Sequence, residues 1–351
     1  MKHRKIAFYL PQYYPTPYND NWWGKGFTEW TNVGKAKPLF AGHHQPKVPS
    51  ELGYYDLRLK DTRCRQADLA REYGIEGFCY WHYWFGGKRL LNEVFDEVIS
   101  SKAPNFPICL CWANHSWYKK TWTEGKDQTL LIEQTYPGVS DYIAHFNALL
   151  PAFRDPRYMR TNDGKLIFAI FDPLGIPDFI DFKNTWNSLA KENGLGEFCF
   201  YAFTRKVEDG DKAFQLGYDA TITDYINYSR KKNLLFDTYN KFKRNVLKRP
   251  YKGSYRRYIE AIKKRYKPKD NCSLCLVPNF DHSPRSGVYV DILFNDASPK
   301  LWGKLLNYVY DDLNYSDILW IKAWNEWGEG NYLEPDLQFG RGFLEELGKY
   351  K

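Results

Sequence analysis

The chain has 351 residues, of which 43% are hydrophobic and 18% aromatic, with a formal net charge of +8. That length can bury a sizeable core in one large domain or two, and no stretch approaches the ~18 consecutive apolar residues of a membrane span. The charge is local: residues 230–269 hold 16 Lys or Arg against 2 acids, which leaves a body of 34 basic and 40 acidic residues.

The basic start, MKHRKIAFYLPQYYP, has five apolar residues before Pro11 and Gln12 and does not read as a secretory signal. Strand-like runs follow at 5–12, 75–85, 106–114, 165–172, 197–204, 218–225, 274–281 and 317–326. Between them, runs at 61–74, 88–102, 140–153, 178–194 and 299–313 repeat apolar residues near a 3.6 period, which predicts helices. Gly74 and Gly194 stand where a helix C-terminus expects glycine. Eight alternations of strand and helix predict an α/β fold, a single (β/α)8 barrel over 1–351, with a doubly wound open sheet as the alternative. The basic stretch then reads as a helical insertion at about 230–269. The loops after the first and third strands, 11–60 and 115–139, are long, and long loops at strand ends are where such barrels build sites.

Polar residues gather at the carboxyl ends of the predicted strands: Gln12 and Tyr13, His82 and Trp84, Trp112 and Asn114, Asp172, Asp224, Asp281, and Asn325 with Glu326. In a barrel these converge on one rim and line one aromatic, carboxylate-bearing cleft. In YWHYWF (80–85), Tyr80, His82 and Trp84 share one face and Trp81, Tyr83 and Phe85 the other. One face is site and the other core, according to register; the first set is taken as the site face. The segment 21–49 lacks periodicity but carries Trp22, Trp23, Glu29, Trp30, His43 and His44. Its indoles must pack on the barrel rim or on a sugar ring. No metal is expected, because the histidines lack helical or carboxylate ligand spacing.

The stretch AWNEWGEGNYLEP places Glu326 and Glu329 three apart among Trp324, Trp327, Gly328 and Gly330. Two carboxylates in unequal surroundings can divide acid and base work at neutral pH, and glycoside cleavage commonly needs such a pair. The bland alternative is a loop of solvated glutamates and structural indoles. Of the seven cysteines, Cys79, Cys109, Cys111 and Cys199 lie in strand-like runs and read as reduced core thiols, while CSLC (272–275) lacks a second pair. The cytoplasm is the compartment this suggests. A lone DGD (209–211) is a weak sugar-nucleotide signal.

YLPQYYP, WWGKGFTEWTNV, HHQPKVP, LGYYDLR, YGIEGFCYWHYWF, CWANHSW, VPNFDHSPRSG and AWNEWGEGNYLEPD, in this order, resemble the motif series of the WbsX-like family of bacterial polysaccharide loci. That family is related to the endo-α-mannosidases of glycoside hydrolase family 99. The resemblance spans nearly the whole chain and implies a barrel acting on glycans without a cofactor. It implies that Glu326 acts as base on the substrate 2-hydroxyl, which displaces the leaving group to give an anhydro sugar. Glu329 would protonate the leaving oxygen and then activate water. One departure stands out: after WAN this chain has His115, where many WbsX-like chains have glutamate.

The reading is thus a retaining endo-type glycoside hydrolase of bacterial surface polysaccharide metabolism, with an oligo- or polysaccharide substrate. A glycosyltransferase is the first alternative, although the chain lacks a Rossmann-type glycine fingerprint; a carbohydrate-binding protein without turnover is the second. The basic segment is either a solvated helical face or a surface for an anionic partner, such as the inner membrane with its lipid-linked glycans. Nucleic acid is not expected, since no fold signature for it accompanies the charge.

Overall fold

The computed structural model describes residues 4–119, 129–230, 234–290, 292–313, 315 and 317–351. Part of the long loop after the third strand (120–128) and two residues near the start of the basic segment, Lys231 and Lys232, lie outside the described residues.

Eight parallel strands close into a barrel: β1 (Lys5–Tyr9), β2 (Gly77–Phe85), β3 (Ile108–Trp112), β4 (Leu166–Ile170), β5 (Phe198–Thr204), β6 (Ala220–Thr223), β7 (Cys272–Leu276) and β8 (Leu319–Ile321). Each pairs in chain order with the next, and β8 pairs with β1 through Lys5↔Leu319. The β1–β2 pairing, Ile6↔Gly77 to Tyr9↔Tyr80, closes the ring of these eight strands, which removes the open-sheet alternative. Seven fall within the predicted runs, and β7 overlaps the seventh run at 274–276 but starts two residues earlier. Buried on both faces, such strands read as unbroken apolar and aromatic stretches.

A helix follows each strand: α1 (Lys60–Glu72), α2 (Glu93–Ser101), α3 (Val139–Phe153), α4 (Phe179–Glu192), α5 (Val207–Gln215), α6 (Tyr255–Arg265), α7 (Pro299–Asn307) and α8 (Gly342–Gly348). Helices α1 and α4 end alike. Gly74 (φ +80°) and Gly194 (φ +70°) take the left-handed turn, and the next residue's N–H, from Ile75 and Leu195, returns to Ala70 and Ala190 carbonyls at 3.0 and 2.8 Å. The helix expected over 88–102 begins only at Glu93. Gly86 and Gly87, both at positive φ, turn the chain so that Lys88–Leu90 pairs antiparallel with the end of β2. A two-residue glycine loop favours that hairpin.

Phe8, Trp81, Phe171, Phe203 and Trp320 fill the upper barrel interior, with Phe8 stacked on Trp81 at 4.9 Å and edge-on to Phe203 at 5.7 Å. All seven cysteines are free, with Cys272 and Cys275 lying within β7 itself. Asp209 and Asp211 fall in α5, where Asp211 lies 3.7 Å from Lys269. Among the described residues, no helix is long and apolar enough to cross a membrane.

The basic segment is not one insertion. Its second half is α6, the barrel's own sixth helix, which buries Tyr255, Tyr258, Ile259 and Ile262. Only the first half, with a separate helix at Leu234–Asn245, is added between β6 and α6.

Candidate active site

At the carboxyl ends of the strands lies an open cavity of about 930 Å³. Nine of the residues expected at the site line it: Gln12, Trp22, Trp23, Glu29, Asn114, Asp172, Asp224, Glu326 and Glu329. The loop after β1 supplies one wall. Its helix Pro17–Trp23 presents Trp22, which meets Trp117 edge-on at 5.9 Å. A second short helix, Glu29–Lys35, was hidden by its lack of apolar period. Thr28 caps it by accepting from Trp30 N–H at 3.2 Å, and Glu29 is thereby set at its first position.

The floor is organised by a residue not anticipated from the sequence. The Arg285 guanidinium donates to Glu329 Oε1 at 2.7 Å, to Glu29 Oε2 at 3.1 Å and to Glu326 Oε2 at 3.3 Å. Lys322 Nζ lies 3.6 Å from Glu329 Oε2, and His282 Nε2 lies 3.9 Å from Glu329 Oε1. The indole N–H of Trp81 donates to Glu326 Oε1 at 3.1 Å. Gly328 is required here, because a side-chain carbon at this position would strike Glu29 Oε2 and come within 2.9 Å of Arg285 Nε. Gly330 has φ +64°, and a side-chain carbon there would meet Asp281 at 2.9 Å.

The two glutamates titrate apart. Burial and the adjacent Glu329 charge push Glu326 up to about 7, against the pull of Arg285 and Lys322. Burial also acts on Glu329, but Lys322, Arg285, His282 and Arg205 outweigh it and hold this carboxyl well below the usual range. The pair therefore carries one proton near neutral pH, on Glu326, with Glu329 charged. Burial raises Asp172 and Asp224 as well, opposed at Asp172 by Arg205 and at Asp224 first by Lys322.

The other eleven expected residues are not on the cavity wall. The β2 register is the reverse of the one adopted: Trp81 and Tyr83 face the cavity, while Tyr80, His82 and Trp84 point outward to the helices. Tyr80 packs on Tyr9 and Phe95, His82 Nε2 meets His145 Nε2 at 2.7 Å, and the Trp84 indole donates to Asp141 at 3.1 Å. Trp112 is likewise turned out, stacked on Phe182 and donating to the Trp84 carbonyl.

Tyr13, Trp30, Asn325 and Trp327 form a layer behind the floor. Asn325 bridges the Leu10 N–H and carbonyl at 2.7 and 3.0 Å, and Tyr13 O–H donates to the Asn325 carbonyl at 2.5 Å. Trp30 donates to the Tyr55 carbonyl, and Trp327 donates to Glu334 at 2.6 Å. His43 and Asp281 pair at 2.8 Å and tie the β1 loop to the end of β7, while His44 is exposed. The histidines thus serve separate local contacts. Among the described residues no group of three His, Cys, Asp or Glu is placed to hold a metal ion.

The missed residues left partial signals. Lys322 is the one charge inside the apolar run ILWIKAW, and Arg285 sits within VPNFDHSPRSG. Arg205, which follows β5 directly, also lines the cavity.

Residues 5–347 match the family model described as Glycosyltransferase WbsX. The chain belongs to the WbsX family. It is 33% identical over 350 residues to WxcX of Xanthomonas campestris pv. campestris, an alignment covering 97% of this chain and 48% of WxcX. The chain thus spans about half the length of the curated relatives it matches. Among solved structures, a glycoside hydrolase-like protein superposes with a TM-score of 0.62 at 15% identity, covering 99% of this WbsX-family chain and 94% of the other. The family 99 endo-α-mannosidase of Bacteroides thetaiotaomicron superposes with a TM-score of 0.56 at 13% identity, covering 99% and 96%. These likenesses establish a shared barrel fold.

Proposed function

We propose that this chain is a glycan-active enzyme that breaks glycosidic bonds in the cleft, as a retaining endo-type hydrolase of a bacterial surface polysaccharide. The observation that carries the reading is the pair itself: two carboxylates on one open, aromatic-walled cavity, held by one guanidinium, with proton affinities split across neutral pH. Trp22, Trp23, Trp81 and Tyr83 offer ring faces and edges to sugars, while Gln12, Asn32, Asp172 and Asp224 offer partners for hydroxyls.

The division of labour between the glutamates is open to experiment. The family resemblance makes Glu326 the base and Glu329 the acid, whereas the charges around the pair favour the proton on Glu326. Both arrangements hold one proton and carry the same net charge, so they give the same pH profile. In either case kcat/KM falls above about pH 7, as the pair loses its proton. A substrate with an activated leaving group separates them, because replacing the acid by glutamine spares turnover of that substrate and replacing the base does not.

The decisive test is turnover of the polysaccharide of the source organism, with product mass and anomeric configuration read out. Glu326→Gln and Glu329→Gln should each lower the rate by about 10²–10⁴-fold with the fold intact. Full turnover in both variants would sink the assignment. Glycosyl transfer is the second reading, favoured by the family's description and by Arg205, Arg285 and Lys322, which suit an anionic leaving group. Product growth that depends on a nucleotide sugar would establish it.

A further inference from the structure

We propose that the helix between β6 and α6 is a docking surface for an anionic lipid bilayer, set beside the mouth of the cleft. The helix Leu234–Asn245 is extended by one more turn, with Val246 N–H donating to the Phe242 carbonyl at 2.8 Å and Leu247 N–H to Lys243 at 3.1 Å. Tyr239, Phe242 and Val246 recur at i, i+3 and i+7 and are 58%, 54% and 60% exposed, with Leu247 beside them at 52%. Four large apolar side chains within nine residues are thus left in water. Lys241, Lys243, Arg244, Lys248 and Arg249 interleave with them. Among the described residues, none of these five cations meets a carboxylate within salt-bridge distance.

The second half of the basic segment behaves differently. There α6 turns its apolar face to the barrel, Arg265 lies 4.1 Å over the Tyr228 ring, Lys263 lies 5.1 Å over Tyr308, and Lys269 approaches Asp211. Cations without a carboxylate partner and apolar side chains left in water coincide on one short stretch, 239–249. That combination fits a bilayer interface, which accepts aromatic and aliphatic groups at the acyl boundary and cations at the headgroups. A nucleic acid offers phosphates but nothing for the apolar stripe.

The helix is anchored on loops that form the rim. The Arg244 guanidinium lies 5.7 Å over the Tyr289 ring, four residues beyond the cavity-lining Arg285, and Lys252 Nζ lies 3.5 Å over Phe40 in the β1 loop. Ile226 and Asn227, at the start of the same connection, line the cavity. A membrane under the helix therefore lies next to the cleft. The surface does not rest on the reaction assigned there.

The test is flotation of the full chain with vesicles of phosphatidylcholine alone or of equal parts phosphatidylcholine and phosphatidylglycerol. Binding is expected only to the anionic vesicles and weakens with added salt. A Phe242→Ser/Val246→Ser/Leu247→Ser variant should bind about tenfold more weakly or worse. A Lys241→Glu/Lys248→Glu/Arg249→Glu variant should lose about a hundredfold or more. All six side chains are exposed, so unchanged circular dichroism and turnover of a soluble glycan should accompany the loss. The proposal is overturned by a wild type that does not float with anionic vesicles, by variants that float as it does, or by equal binding to duplex DNA that the serine variant leaves unchanged.

Discussion

The cleft floor and the layer behind it bury the same residue type by opposite means. On the floor, Glu29, Glu326 and Glu329 surround one arginine, with Lys322 and His282 close to Glu329. Behind it, Glu334 has no cation among its hydrogen-bond partners: it accepts from Trp327 and Gln66 at 2.6 Å and from Tyr55 at 2.7 Å. The floor opens onto the cavity, so its charges are available to a substrate. The layer behind is closed, and Glu334, fixed by Gln66 and Tyr55, accepts from the indole of Trp327, which lies between the two candidate catalytic glutamates. A buried carboxylate met by cations serves chemistry well, and one met by indole, amide and phenol serves as a fixture.

The largest expected effect breaks the first arrangement. Arg285→Ala would leave three mostly buried carboxylates facing one another, and removing one partner of such a cluster costs about 3 kcal/mol or more. Without the guanidinium the carboxyl pKa values rise in the folded state, so the folded protein binds more protons than the unfolded one. Stability lost at about pH 8 should then return as the pH falls toward about 5. Urea unfolding at both pH values checks this, and a variant as stable as wild type at the higher pH would mean that Arg285 is not the counter-ion of the floor.

The second effect concerns the fixture. Burial pushes Glu334 up to about 7 against its three donors. A raised carboxyl contributes stability in full below its unfolded value, near 4.5, and that contribution is lost as pH rises through about 7, with a ceiling of about 3 kcal/mol. Glu326 is raised to a similar value and acts in the same window, whereas the depressed Glu329 acts only below it. Glu334→Gln should therefore remove one group's share of the fall in stability between about pH 4.5 and 7, up to about 1.4 kcal/mol per pH unit. It should also cost about 1–2 kcal/mol at the acid end, where its amide N–H₂ faces donors. An unchanged slope would place the pH dependence elsewhere.

Much of this organisation was legible. The eight strands stood out because a strand buried on both faces leaves an unbroken apolar run, and Gly74 and Gly194 marked helix ends because only glycine takes that turn without strain. The meeting of Glu326 and Glu329 on one cavity followed from their position after the last strand. What stayed hidden depended on register or on distant contacts. Both faces of YWHYWF carry aromatics, so nothing local says which faces inward. Arg285 lies in a loop without periodicity, and its importance comes from Glu29, more than two hundred residues away. The Lys88–Leu90 hairpin could have been read at Gly86–Gly87 but was masked by the apolar residues of the helix that follows.

The smallest effect sharpens the floor against its surroundings within one strand. Trp81→Phe keeps a ring against Phe8 and Phe171 but withdraws the N–H that Glu326 Oε1 accepts at 3.1 Å. Losing a donor to the charged form raises the proton affinity of Glu326 further. The alkaline fall of kcat/KM should move upward in pH, with at most about a tenfold loss of rate, equivalent to ~1.4 kcal/mol. Trp84→Phe removes the bond to the buried Asp141 on the opposite face. It should cost about 1–2 kcal/mol of stability and leave the pH profile in place. Only the Trp81 variant thus moves the pH profile, and a larger rate loss in Trp84→Phe than in Trp81→Phe would reverse the assignment of the two faces.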